Sequence, residues 1–175
     1  GGISQRALAH ETPVEIDRRI MEIDYFSYVV LTKTILPSMI NANEGFIAAT
    51  SSISGKFGFP LRSAYAAAKH AIQGFFETIR IELKPHKISV TIAYPGRVNT
   101  NISVNAILKD GKAHGKMDAG QAGGIPAEKC AKIYLKAIAK GKPEVLIGGK
   151  ELLMVHIKRF FPRIFYRIVS KINPT

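Results

Sequence analysis

The chain is poor in cysteine, in acidic side chains and in long apolar runs. Cys130 is its only cysteine, so no internal disulfide can form, and a reducing, cytoplasmic setting is expected. A lone helical thiol reads as a small packing residue. Thirteen Asp and Glu face 25 Lys and Arg, a net charge of +12. That surplus suits a solvated basic surface, anionic lipid, nucleic acid or an anionic substrate. No helix-turn-helix, zinc or RNA-platform signature accompanies it, so nucleic acid is not expected. His10, His70, His86, His114 and His156 offer no ligand spacing, and no metal is expected. Residues 1–19 lack the apolar stretch of a signal peptide. The chain opens on Gly-Gly rather than Met, and is read as a piece of a longer protein.

With 46% of its 175 residues hydrophobic, the chain can bury one sizeable core. Thr12-Pro13-Val14-Glu15 reads as a helix start, with Thr12 as cap and Glu15 completing a capping box. Ile16, Ile20, Ile23, Val30 and Leu31 then recur at helical spacing until Pro37, which should kink or end the helix. Phe46-Ile47-Ala48-Ala49-Thr50 reads as a strand buried on both faces. Residues 51–62 form a loop rich in serine and glycine. A second helix starts at Ser63, with Ala68, Ile72, Phe75, Ile79 and Leu83 on its core stripe. Residues 88–93 are a second strand, broken by Pro95-Gly96. Residues 99–124 have little periodicity and read as a lid, a binding loop or a disordered stretch. A third helix opens at Pro126, places Cys130, Ile133, Ala137 and Ile138 on one face, and ends at Gly141. Val145-Leu146-Ile147 is a last strand. This alternation predicts an α/β fold with a parallel sheet and helices on its faces. Three strands are few for such a sheet, a second reason to expect more chain before residue 1.

The chemistry concentrates at Tyr65-Ala66-Ala67-Ala68-Lys69, with Ser52 thirteen positions earlier. Residues four apart share a helix face. An ammonium beside a phenol favours the phenolate, so Lys69 is expected to draw Tyr65 below its ordinary pKa of about 10. A serine hydroxyl nearby could hold a carbonyl oxygen against the phenol; Ser51, Ser52 and Ser54 compete for that place, and spacing favours Ser52.

Ser51-Ser52-Ile53-Ser54-Gly55, Pro60, Tyr65-Ala66-Ala67-Ala68-Lys69 and Pro95-Gly96-Arg97-Val98-Asn99-Thr100, in this order, resemble the short-chain dehydrogenase/reductase superfamily. The flavour is that of its branch around 11β-hydroxysteroid dehydrogenase and dehydrogenase/reductase member 7. The resemblance runs from Gly1 to about residue 149, and Gly1-Gly2-Ile3-Ser4 is similar to the end of the family's Asn-Asn-Ala-Gly segment. It implies the C-terminal part of a Rossmann-like doubly wound parallel sheet, its first βαβ units absent. Tyr65 would be the general acid/base, Lys69 would lower its pKa and hold the nicotinamide ribose, and Ser52 would orient the substrate oxygen. Gly2, Pro95, Gly96, Val98 and Thr100 would join Tyr65 and Lys69 in binding NADP or NAD, with NADP slightly favoured. The family's fourth catalytic residue, an Asn, corresponds here to Asp24, which accepts hydrogen bonds but cannot donate while ionised; a proton relay beyond Lys69 is therefore in question. No Gly-x-x-x-Gly-x-Gly phosphate turn follows a strand in this chain.

Residues 1–150 thus read as a catalytic domain part, with a catalytic segment over 45–100 and a substrate lid over 101–125. Residues 151–175 form a basic tail. In it Leu153, Ile157, Phe161, Ile164, Ile168 and Ile172 make one stripe, and Arg159, Arg163, Arg167 and Lys171 another. It carries too many charges to span a bilayer. A basic amphipathic helix over 152–172, kinked at Pro162, suits peripheral contact with a membrane surface, or packing on its own domain or a partner. The expected function is NAD(P)-dependent interconversion of a ketone and a secondary alcohol on a small, lipid-like substrate. The alternative is an inactive reductase remnant acting as a membrane-surface or interaction module. The resemblance also implies homo-oligomers built through the helices that carry Asp24 and Tyr65.

Overall fold

The computed structural model describes residues 2–172 and 174; Gly1, the first residue of the Gly1-Gly2 motif, lies outside the described residues. The first helix, α1 (Val14–Met21), passes through a π-helical turn, Glu22–Phe26, into α2 (Ser27–Ala42). Strand β1 (Glu44–Thr50) follows, then α3 (Ser63–Glu82), β2 (Lys87–Pro95) and the two-residue β3 (Val98–Asn99). After a long irregular segment come α4 (Ala119–Ala122), β4 (Ile125–Pro126), α5 (Ala127–Ala139) and β5 (Glu144–Ile147), and α6 (Leu153–Phe160) and α7 (Pro162–Val169) end the fold. The sheet order is β1-β2-β5, all parallel. Each parallel step needs a crossover, supplied by α3 and then α5. The main core lies between α3 and the sheet, around Ile72, Phe76, Ile79, Val90 and Ile92.

Several sequence expectations shift in the structure. Thr12 does not build a capping box: α1 starts at Val14 with Pro13 as its cap and no side-chain cap bond. The Thr12 hydroxyl instead donates to the Leu8 carbonyl at 2.8 Å and accepts from Gln5 Nε2 at 3.0 Å. The stripe through Val30 and Leu31 is not buried; these residues are 61% and 66% exposed. The π turn changes the helical phase, so beyond it Thr32 is buried and Tyr28, Leu36, Met39 and Ile40 pack on the core. Pro37 does not end the helix, which runs on to Ala42. On α3 it is Phe76, rather than Phe75, that is fully buried.

Strand β1 is not buried on both faces either. Ile47 and Ala49 are buried while Phe46, Ala48 and Thr50 are exposed. It is an edge strand in this sheet, and the central β2 has the near-continuous burial instead. The long segment is tied down rather than loose. The pair β3–β4 closes its ends, and Ile107 exchanges backbone bonds with Ser4 and Arg6 at 2.9 Å.

The tail is two helices, broken at Phe161. Its inward face is only in part the stripe expected: Ile157 packs on the cluster where Phe165 and Val169 are buried against Phe57, while Leu153, Phe161, Ile164 and Ile168 remain exposed. Spacing of three and four holds for both stripes, and packing against Phe57 decides between them. Among the described residues no helix is long and apolar enough to cross a membrane.

Ile72 is fully buried and Leu31 is 66% exposed. Ile72→Ala should lower unfolding free energy by about 2–5 kcal/mol, and Leu31→Ala by less than about 0.5 kcal/mol, read from urea denaturation midpoints. Equal effects would contradict this core.

Candidate active site

Parallel sheets place ligands beyond the carboxyl ends of their strands, and here the ends of β1 and β2 carry the Ser52 turn and the Pro95-Gly96 turn. After β1 the chain enters a tight 3-10 turn, Ile53–Gly55, in which Ser52 Oγ accepts from the Ser54 amide at 3.1 Å. This turn docks on α3. Ser51 Oγ donates to the Lys69 carbonyl at 2.8 Å, so Ser51 serves the scaffold. A Cβ on Gly55 would stand 2.6 Å from the same carbonyl oxygen, so only glycine lets the turn approach so closely. The Ser52 hydroxyl then lies 3.4 Å from the Pro95 carbonyl, on the cleft that Tyr65 also lines. The start of α3 is fixed by a residue that periodicity does not single out: buried Gln5 accepts from the Ala64 amide at 3.0 Å.

Behind Tyr65 lies a buried ion pair. Lys69 Nζ is 3.4 Å from Asp24 Oδ2, with the two side chains 4% and 0% exposed. The π turn carries Asp24, and the Ile3 amide donates to its other oxygen at 2.7 Å. Gly2 packs on the pair so closely that a Cβ there would lie 3.1 Å from Asp24 Oδ1 and 3.3 Å from Lys69 Nζ. Burial pushes the Asp24 carboxyl above its usual range, opposed by the Lys69 charge. Tyr28, which sequence reasoning missed, closes the other side, with Lys69 Nζ 5.7 Å from its ring centre.

The expected depression of Tyr65 by Lys69 is not what this geometry produces. Burial pushes the phenol up to about 12; the Ser52 hydroxyl acts downward, Asp24 upward, and Arg6 and Arg62 downward. Lys69 Nζ stands 5.5 Å from the Tyr65 ring centre, and Asp24 offsets its charge. Tyr65 therefore holds its proton through neutral pH and can act as an acid.

The remaining sequence candidates sit at the end of β2. The Val98 carbonyl accepts from Gln121 Nε2 and from the Thr100 hydroxyl. Beside Gly96 stands Glu151, whose Oε1 accepts from the Arg97 amide at 2.8 Å and the Gly149 amide at 3.1 Å. A Cβ on Gly96 would collide with that carboxylate. Burial acts upward on Glu151, and these amides outweigh it and hold its carboxyl below the usual range. Ser52, Tyr65 and Gly96 open on one cleft of about 180 Å³, which Arg6, Arg62 and Asp118 also line. Those three escape sequence reasoning because they lie far apart in the chain, in no recurring pattern.

A family model described as short chain dehydrogenase matches residues 1–110. Dehydrogenase/reductase SDR family member 7B of Rattus norvegicus is 45% identical over 170 residues, 97% of this chain and 52% of that protein. The 7-like family protein of Anopheles gambiae is 41% identical, over 98% of this chain and 54% of its own length. The chain thus spans about half the length of the curated relatives it matches. Among solved structures, a short chain dehydrogenase from Burkholderia cenocepacia in complex with NADP shares 21% identity and a TM-score of 0.80, covering 98% of this chain and 67% of its own. One from Burkholderia phymatum in complex with NAD gives 19% and 0.77, covering 100% and 66%. These two similarities concern the fold, while the family match and the 45% identity along nearly the whole chain concern descent: the chain belongs to the short-chain dehydrogenase family.

Proposed function

We propose that the protein carrying this chain is an NAD(P)-dependent oxidoreductase that interconverts a ketone and a secondary alcohol. The observation that carries this reading is the opening of Ser52 and Tyr65 on one cleft at the sheet's carboxyl end, backed by the buried Lys69–Asp24 pair. Family neighbours bound to NADP and to NAD support the cofactor class.

Tyr65 is the proton donor toward a substrate oxygen, and the acceptor in reverse. Ser52 orients that oxygen with its hydroxyl. Lys69 supplies an ammonium toward a ribose, and Asp24 holds that ammonium in place. Gly2, close enough to the pair that a Cβ would make it give way slightly, leaves the close backbone approach that a nucleotide sugar needs. The donors present thus fit the ribose end of the cofactor, and Pro95, Gly96, Val98 and Thr100 would hold its nicotinamide end. A dinucleotide held there would supply the hydride chemistry. Arg6 and Arg62 ease release of the Tyr65 proton by their charge. Phe57 and Met154 give the cleft an apolar wall, which suits a substrate with a lipid-like body. Exposed Val30, Leu31 and Ile35 on α2 support pairing of two copies through that helix.

A second observation concerns the tail. Leu153, Phe161, Ile164 and Ile168 are exposed beside exposed Arg159, Arg163 and Arg167, and no acidic residue occurs after Glu151. Apolar side chains among cations match an anionic bilayer surface. We infer peripheral membrane contact there, whether the site turns over or not.

In the full-length protein, Tyr65→Phe should cut kcat by at least about 100-fold while the melting temperature stays put. Turnover near the wild-type rate would end the oxidoreductase assignment. The full-length protein should also float with vesicles rich in phosphatidylserine and much less with phosphatidylcholine alone. Ile164→Glu with Ile168→Glu should abolish that difference; if it persists, the tail is not the contact.

A further inference from the structure

Asp118 stands within the 101–125 segment, and its carboxylate is where three distant parts of the chain meet. We propose that Asp118 is a positioning residue, a latch that fastens this segment at the Tyr65 cleft by bridging Arg6 and Arg62. The latch rests on the oxidoreductase reading for its effect on turnover, and on geometry alone for its effect on the segment.

One oxygen of Asp118, Oδ2, accepts from Arg6 Nε at 3.0 Å, from Arg6 Nη2, and from Arg62 Nη2 at 3.1 Å. The three side chains are 7%, 4% and 12% exposed. Both arginines are themselves held. Arg6 Nη1 donates to Ser4 Oγ at 2.8 Å and to the Gln5 carbonyl at 2.6 Å. Arg62 donates to the Pro60 carbonyl at 3.0 Å and the Pro174 carbonyl at 2.7 Å. Arg62 immediately precedes α3 and lies three residues before Tyr65. The guanidiniums thus belong to the start of the chain and the entry to α3, and Asp118 belongs to the 101–125 segment.

The rest of the segment is fastened elsewhere. Ile107 is bonded to Ser4 and Arg6, and β3–β4 closes the far end. Between these anchors Asp118 is a buried charged contact, its amide donating to Ser103 Oγ at 3.2 Å, while the Lys109–Glu11 pair is largely exposed. His114 Nε2 lies 3.6 Å from the second oxygen, which has no hydrogen-bond partner.

A buried carboxylate shared by two arginines contributes little net stability, yet losing it strands two buried cations. Burial already lowers Arg62 to about 10, with Arg6 adding to the effect. Without Asp118 the two guanidiniums, 4% and 12% exposed, lose the carboxylate that ties the segment to them. Release of Asp118 therefore frees this part of the segment from the rim of the cleft, which Asp118, Arg6 and Arg62 all line. The Ser51, Gly55 and Asp24 contacts that hold Ser52, Tyr65 and Lys69 do not involve Asp118, so binding should suffer more than chemistry.

The test compares wild type with Asp118→Asn and Asp118→Glu in the full-length protein, by hydrogen exchange and by steady-state kinetics. In Asp118→Asn, amides of 108–120 should exchange about tenfold faster or more, as for a lost hydrogen bond to a charged group, with α3 and β2 unchanged. KM for the carbonyl substrate should rise about tenfold while kcat changes less, and Asp118→Glu should recover part of both. Unchanged exchange over 108–120, or loss of protection spread evenly over the protein, would overturn the latch. So would a fall in kcat at constant KM. Should Asp118→Asn not fold, Arg62→Gln must loosen the same amides. If wild type shows no turnover while these amides still loosen, the latch stands and the oxidoreductase reading falls.

Discussion

The buried pair Asp24–Lys69 is the constraint on which the site depends. Two charges at 4% and 0% exposure are a poor source of net stability, but each is costly to leave alone. Everything near them is arranged so that neither is alone. The π turn projects Asp24 inward, the Ile3 amide takes one carboxylate oxygen, and the Gly2 backbone closes over both. Lys69 is held from its own backbone as well, since its carbonyl receives Ser51 and lies against Gly55. One helical residue thereby ties the start of the chain, the turn after β1 and α3 into a single unit. Tyr65 and Ser52 inherit their mutual position from that unit.

The same pair explains why the phenol behaves unlike the simple argument from helix spacing. Lys69 and Tyr65 share a face of α3, as four-residue spacing requires. Sequence cannot show that Asp24 would meet Lys69 first. With its charge met, Lys69 acts as a scaffold and a donor, while burial governs Tyr65. The cations that do reach the phenol, Arg6 and Arg62, line the same cleft as Tyr65.

Local features were legible and distant ones were not. The start of α3 at Ser63 and the places of Ser52, Tyr65 and Lys69 follow from spacing within a few turns. Asp24 was placed by family resemblance and not by any periodicity. Arg6 and Asp118 lie 112 residues apart, and no pattern of period two or 3.6 connects them. Apolar periodicity also misjudged faces wherever two stripes competed. In α2 the π turn moved burial from Val30 and Leu31 to Thr32, and in α7 Phe57 selected Phe165 and Val169 over Ile164 and Ile168. The parallel sheet was readable from the order of elements, but not which strand would be central.

The place of β1 at the rim of the sheet has its own consequence. Among the described residues, no strand pairs with the outer side of β1. A seven-residue edge with Phe46 and Ala48 uncovered has little of what ordinarily blunts such rims: Glu44 is its one charge and it contains no proline. Its unpaired backbone groups are a place where a further strand of suitable register would extend the sheet.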